Sequence, residues 1–261
     1  MNFYPPDEEP PAEDPSVAGS NTVAVHPPWT EVEGFEEFAE PGLSPEPFDF
    51  NKRARPSRFS WINKDVLRPI ADQRPYNTCL SYSACYCLET RRSIENSGIA
   101  RLDPEMFHRC VLGLAFSQGN NNVRRTLLRL REFGAPLAGS GFTPGARCQD
   151  FTPIMLKSKG QKQISTPERA KEVIAGYAPV IVLMSAEKRL ANLNSFAIYR
   201  DANGPKTFHH AMLLVGFDDV NQCWIVQNSF GTQWGEKGFG RIGYGSASIL
   251  SGPTHRCYIV A

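Results

Sequence analysis

Apolar positions follow two textures along the chain. Between residues 78 and 134 they recur at helical spacing. A first helix is expected from residue 79 to about 95, with Thr78 as its N-cap and Ser97-Gly98 as its stop. Asp103-Pro104-Glu105 opens a short second helix. In a third, Val123, Leu127, Leu130 and Phe133 share one face and Gly134 ends the run. After residue 178 the pattern changes to short, nearly continuous apolar runs, as buried strands show. Residues 179–184, 211–217, 223–227, 238–242 and 257–260 are such runs. The turn-rich segment 218–222 makes a hairpin of the second and third. A helical first lobe and an antiparallel β-rich second lobe give an α+β protein, with a cleft between lobes as the place for chemistry.

Composition adds a boundary. The chain has 261 residues, 41% of them hydrophobic, enough for one substantial domain or two small lobes. Its net charge of +1 hides a split: residues 1–50 carry −12 and no basic residue, and the remainder carries +13. Ten of the 21 prolines also lie in 1–50. Self-repulsion and missing backbone donors argue against a compact fold there, so 1–55 is expected to be a mostly disordered tail and 56–261 the domain. A short helix at 30–39 is the exception the pattern allows, with Thr30 and Glu33 as a capping box and Phe35 and Phe38 on one side. The start of the chain lacks a basic n-region and an apolar run, which predicts no signal peptide. No stretch is long and apolar enough to span a bilayer.

Other features reduce to structure. Lys52-Arg53-Ala54-Arg55 reads as a loop. The arginines of 123–133 read as a solvated helix face, since no aromatic platform interleaves with them; no nucleic-acid partner is expected. Cys85 and Cys87 do not face each other on a helix and read as core. His26, His108 and His255 lack ligand spacing, so neither a metal nor another cofactor is expected. Asp72, Asp218 and Asp219 read as turn residues. Seven cysteines leave at least one unpaired within the chain.

A cysteine nucleophile needs an ionised thiol, a neighbouring base and donors for an oxyanion. Cys79 follows Asn77-Thr78 at a helix start, where orphan N–H groups and the helix dipole favour a thiolate. Gln73, six residues earlier in a Pro-marked loop, can bring an amide donor back to it. Far downstream His210 starts an apolar strand, and Asn228 ends the next one. A hairpin brings the two together, so that the amide oxygen orients the imidazole.

These residues resemble the papain family of cysteine proteases. Asn228-Ser229-Phe230-Gly231-Thr232-Gln233-Trp234-Gly235-Glu236-Lys237-Gly238-Phe239 is similar to the family's Asn-Ser-Trp-Gly-x-x-Trp-Gly-Glu-x-Gly-Tyr, with two aromatics changed to Phe. The spacing from Cys79 to His210 and Asn228 suits the family. Trp61 and Pro69-Ile70-Ala71-Asp72-Gln73 resemble its mature start. The resemblance runs from about residue 57 to 261. It implies the two-lobe papain-like fold, with Cys79 as nucleophile, His210 as general base and acid, Asn228 as the orienting amide and Gln73 at the oxyanion. It also implies Phe208 and Ala211 at the main side-chain pocket, and Trp234 and Phe230 beside the His–Asn pair. Cys110 and Cys148 match a family bridge, so a disulfide between them is expected.

The departures fall in the helical half. Where the family writes Cys-Gly-Ser-Cys-Trp-Ala-Phe-Ser, this chain has Tyr76-Asn77-Thr78-Cys79-Leu80-Ser81-Tyr82-Ser83. The partner motif Gly-Cys-x-Gly-Gly is missing around residues 114–122, so both halves of one bridge are gone together. Residues 1–50 are also too short and Pro-rich for the family's helical prosegment. The resemblance implies a peptide-bond hydrolase acting on peptides or proteins, monomeric, answerable to protein inhibitors and without a membrane partner. The rivals are a catalytically impaired peptide- or protein-binding homologue and an acyl transferase on the same fold. The chain as given points to the cytosol, and the family points to lysosome, vacuole or secretion.

Overall fold

The computed structural model describes residues 55–95, 101–143, 145–150, 154–158, 161–194, 196–251 and 255–260. The acidic tail, apart from Arg55, and the expected helix at 30–39 lie outside the described residues.

Among the described residues β1 (Arg58–Ser60) comes first, then α1 (Cys79–Ile94), the short α2 (Pro104–Met106) and α3 (Val123–Glu132). Asp103 caps α2 through its carboxylate, which accepts from the Met106 N–H at 2.9 Å. A π-helical turn, Phe107–Val111, continues it. Next come β2 (Ala135–Pro136), β3 (Met155–Leu156), β4 (Gln161–Ile164) and α4 (Pro167–Gly176). β5 (Val180–Ala186), β6 (Phe208–Asp218), β7 (Cys223–Gln227), β8 (Phe239–Gly243) and β9 (Cys257–Val260) complete it.

The sheet runs β4-β9-β5-β6-β7-β8, antiparallel throughout. β5 lines one edge of β6 over residues 208–214, and β1 pairs with residues 216–218. Two cores explain why the strands read as continuous apolar runs. Val180, Val182, Met184, Met212 and Leu214 face α4 and the Trp224–Trp234 side. Ile181, Leu183, Ala211, Leu213 and Tyr258 face α1 with Leu80, Leu88 and Leu127. Both faces are buried, so alternation disappears from the sequence.

The expected strands are present, with β6 starting at Phe208 rather than 211. The third helix buries Val123, Leu127 and Leu130. Thr78 stands at the N-cap of α1, but its hydroxyl makes no cap bond and is buried without a partner. The expected cap is therefore a position without its hydrogen bond. α4 was not anticipated, although Thr166 caps it by accepting from Arg169 N–H at 3.2 Å and Pro167 follows. A disulfide joins Cys110 to Cys148, their Cα atoms 5.4 Å apart, and Phe142 packs over it with Met106. Cys85 and Cys87 are buried thiols in the α1 core.

Candidate active site

Cys79, His210 and Asn228 sit at or near the ends of elements, and Gln73 in the loop before α1. Cys79 is the first residue of α1, on the side that packs against Leu183 and Ala211 of the sheet. The backbone N–H groups of Ala211, Leu80 and Cys79 itself favour the charged form of its sulfur. Ala211 follows His210 directly, so the thiol meets the β6 backbone beside the imidazole. His210 lies near the start of β6, and its Nε2 is 2.8 Å from Asn228 Oδ1. Asn228 is the residue after β7, and the β6–β7 hairpin makes the pair.

Aromatic rings wall the imidazole. Phe230 lies 4.5 Å from it between centroids, and Phe208 stacks at 5.2 Å. Trp234 belongs to the same core, with its indole N–H donating to Leu190 O at 2.9 Å. The glycines around it have steric reasons. A Cβ on Gly240 would lie 2.6 Å from the Trp234 ring, and Gly231, at φ +72°, would press one onto Asp72 at 2.8 Å.

Gln73 reaches the site because its segment is sewn to the Asn228 run. Its N–H donates to Ser229 O at 2.8 Å, and Gly231 N–H donates to Ala71 O at 3.0 Å. Its side-chain oxygen accepts from Ser229 Oγ at 2.5 Å, while Nε2 donates to Tyr76 O at 2.9 Å. One amide proton is thus committed to the loop before Cys79, and the other is the one left for an oxyanion.

Burial changes the electrostatics expected of the thiol. Gln73 is 0% exposed, and Cys79, His210 and Asn228 are 1% exposed. Burial pushes the Cys79 thiol up to about 12, against the three backbone donors that favour its charged form. Desolvation here outweighs the N–H groups and dipole on which the helix-start argument for a ready thiolate rests. Phe208 and Ala211 lie on opposite faces of β6, Phe208 with the His210 rings and Ala211 with Cys79.

Noncovalent contacts join the loop before Cys79 to residues 116 and 117. Tyr76 packs on Phe116 at 4.7 Å, Asn77 N–H donates to Phe116 O at 2.9 Å, and Asn77 Nδ2 donates to Ser117 O at 2.8 Å. On the far end of α1, Glu89 is buried between Arg68 at 2.8 Å and Arg101 at 3.3 Å and accepts the Leu102 N–H. This ties the segment leading to Gln73 onto the helix that starts at Cys79.

One cluster leaves no mark in the sequence. Ser185 Oγ hydrogen-bonds both His209 and His255; the β5–β6 register brings Ser185 to His209, and the segment before β9 brings His255. Among the described residues no group of three His, Cys, Asp or Glu could hold a metal ion, and no helix is long and apolar enough to cross a membrane.

The family described as papain family cysteine protease matches residues 141–259, which include His210 and Asn228 and stop short of Cys79. A digestive cysteine proteinase 1 of Homarus americanus is 22% identical over 221 residues, 77% of this chain and 66% of that protein. Procathepsin L of Mus musculus is 24% identical over 204 residues, 72% of this chain and 60% of that protein. The chain thus spans somewhat under two thirds of the length of these relatives. Among solved structures, the Carica candamarcensis cysteine protease in complex with E-64 aligns with TM-score 0.66 at 20% identity, over 79% of this chain and 98% of that one. The ragweed pollen cysteine protease Amb a 11, in its proform, aligns with TM-score 0.68 at 19% identity, over 81% and 68%. These likenesses share the two-lobe α+β fold.

Proposed function

We propose that this chain, which belongs to the papain-like cysteine proteases, hydrolyses internal peptide bonds of peptides or proteins through an acyl-enzyme on Cys79. The observation that carries the reading is the 2.8 Å bond between His210 and Asn228 beside a sulfur whose charged form is favoured by the N–H of the very next residue, Ala211. Asn228 orients the imidazole through Nε2, and His210 exchanges a proton with the thiol through its Nδ1. The thiolate attacks the scissile carbonyl carbon, and the carbonyl electrons move to oxygen. The free Gln73 amide proton and the Cys79 N–H receive that oxyanion. His210 hands its proton to the leaving amine, then takes one from the water that releases the acid. None of these steps calls on a metal or cofactor. Peptides are the proposed substrates, protein inhibitors of such enzymes the proposed partners, and the monomer the proposed working form.

A buried, neutral thiol does no chemistry, so the reading requires Cys79 to be uncovered. The tail at residues 1–55 is the proposed cover, held by the −12 of its residues 1–50 against the +13 of residues 51–261. The test is labelling by a thiol-directed epoxysuccinyl peptide, read by intact mass, on wild type and Cys79→Ala, each with and without residues 1–55. One label that vanishes in Cys79→Ala supports the hydrolase. Faster labelling of the shortened chain, most at low salt, supports the cover. A folded, reduced protein that takes no label in either form returns the site to peptide binding without catalysis.

A further inference from the structure

The segment that carries Gln73 and the segment that follows Asn228 meet as a short antiparallel bridge. Gln73 N–H donates to Ser229 O, Gly231 N–H donates to Ala71 O, and Asp72 stands opposite Phe230 between these two bonds. In that arrangement the backbone groups of the middle pair point outward, so the ladder gives the Phe230 carbonyl no donor. Phe230 is buried, and a buried carbonyl needs one. Arg74 supplies it from across the bridge: its Nη2 donates to Phe230 O at 2.9 Å.

Arg74 is itself held in place by the residue on the other side of Gln73. Its Nε donates to Asp72 Oδ1 at 2.8 Å and its Nη2 to Asp72 Oδ2 at 2.6 Å, a two-pronged pair with a planar fork on each partner. The Arg74 N–H also donates to Asp72 Oδ1, at 3.1 Å. Both side chains are partly exposed, at 32% and 43%. An ion pair that open to water adds little to stability, and water can take the guanidinium's place at the Phe230 carbonyl. What water cannot do is tie that carbonyl to residues 72–74. The effect of the pair is therefore on geometry. At one end of it stands the amide that receives the oxyanion, and at the other the ring that lies 4.5 Å from His210.

We propose that Arg74 is a positioning residue for the peptide hydrolysis: clamped by Asp72 and bonded to the Phe230 carbonyl, it holds the Gln73 amide in register with the imidazole half of the site. The proposal rests on the peptidase reading. Ser229 Oγ and Tyr76 O fix how the Gln73 amide is turned, and Arg74 fixes where the backbone beneath it stands. An oxyanion donor acts only where the charge forms, and the charge forms only beyond the bound substrate. Loosening the clamp should therefore lower kcat and leave KM alone.

The experiment uses the full-length chain at high salt, where the proposed tail cover is weakest, and a fluorogenic peptide. Gln73→Ala is expected to lower kcat about 10²–10³-fold, and Arg74→Met about 10- to 100-fold with KM within about twofold. Arg74→Lys keeps the charge without the fork and should recover only part of that loss. On the Gln73→Ala background, Arg74→Met should cost no more than about twofold, because the donor it positions is gone. Iodoacetamide alkylation of Cys79 supplies the control. There a C–S bond forms as iodide leaves, and no carbonyl gains charge. Its rate in Arg74→Met should stay within about twofold of wild type. Asp72→Ala, which frees the guanidinium, is the second variant should Arg74→Met fold poorly, and should show the same profile. An unchanged kcat, a loss carried by KM, a full loss on the Gln73→Ala background, or alkylation slowed as much as hydrolysis overturns the positioning role. Epoxysuccinyl labelling of wild-type Cys79 separates the two readings. Labelling and turnover that Arg74→Met leaves unchanged sink the clamp alone. A wild type that neither labels nor cleaves peptide sinks the hydrolase, and the clamp with it.

Discussion

The helix-borne and strand-borne halves of the candidate site differ in how they are held. His210 and Asn228 are fixed by a hairpin whose register leaves little freedom, and the run from Asn228 to Phe239 keeps the family pattern almost unchanged. Cys79 is fixed by a helix start whose approach loop has been rebuilt. Tyr76 stands where the family has a cysteine, and ring packing on Phe116 with two Asn77 hydrogen bonds joins that loop to residues 116 and 117. The family match covers 141–259 and so includes the strand half alone. The His210–Asn228 pair depends on a geometry set over hydrogen-bond distance, whereas Cys79 depends on the contacts that anchor the loop before the first turn of its helix.

The largest effects should differ in kind between the two halves. In the strand half, His210→Ala should lower kcat/KM on a fluorogenic peptide by about 10²–10⁴-fold with little change in stability. A loss under about tenfold would remove His210 from the proton transfers. Asn228→Ala should cost less, since the imidazole remains and loses only its orientation. In the helix half the main loss should be of stability. Glu89→Ala leaves Arg68 without its buried partner, and urea unfolding should show a loss of about 3–5 kcal/mol. An unchanged midpoint would mean that Arg68 finds water instead, and that the Gln73 segment is not tied down through Glu89.

The lobes, most strands and the candidate catalytic residues were legible because each leaves a local mark. Buried strands show as apolar runs, and the Asn228-to-Phe239 segment shows its glycines and tryptophan at fixed steps. Other features were not legible because tertiary structure makes them. The Ser185–His209–His255 chain joins residues from two strands and the segment before β9, and nothing in the neighbourhood of any one announces the other two. The neutral thiol follows from burial, which no helix-start pattern encodes. α4 differs from these: Thr166-Pro167-Glu168 is a sound start signal, masked by the strand texture that follows it.

Smaller effects sharpen the comparison within the rebuilt loop. Tyr76→Ala and Phe116→Ala, alone and combined, form a double-mutant cycle. The coupling energy should be about 0.5–1.5 kcal/mol if the ring contact anchors the loop. Coupling within error of zero would leave the two Asn77 hydrogen bonds as the anchor.

The last effect is a titration. A thiol held at about 12 stays protonated well past its ordinary value near 8.5, so between those values the folded chain binds a proton that the unfolded chain has lost. The contribution to stability is full below the unfolded value and falls away as pH rises toward the folded one. Thiolate absorbance of wild type minus Cys79→Ala should therefore show no step between about pH 6 and pH 10 while the chain is closed. Removing residues 1–55, if they are the cover, should bring a step in below pH 8, because water and His210 then support the charge. A step below pH 8 in the full-length chain would place the open, ionised centre in the resting protein, and the helix start would be charged as well as positioned by its sequence.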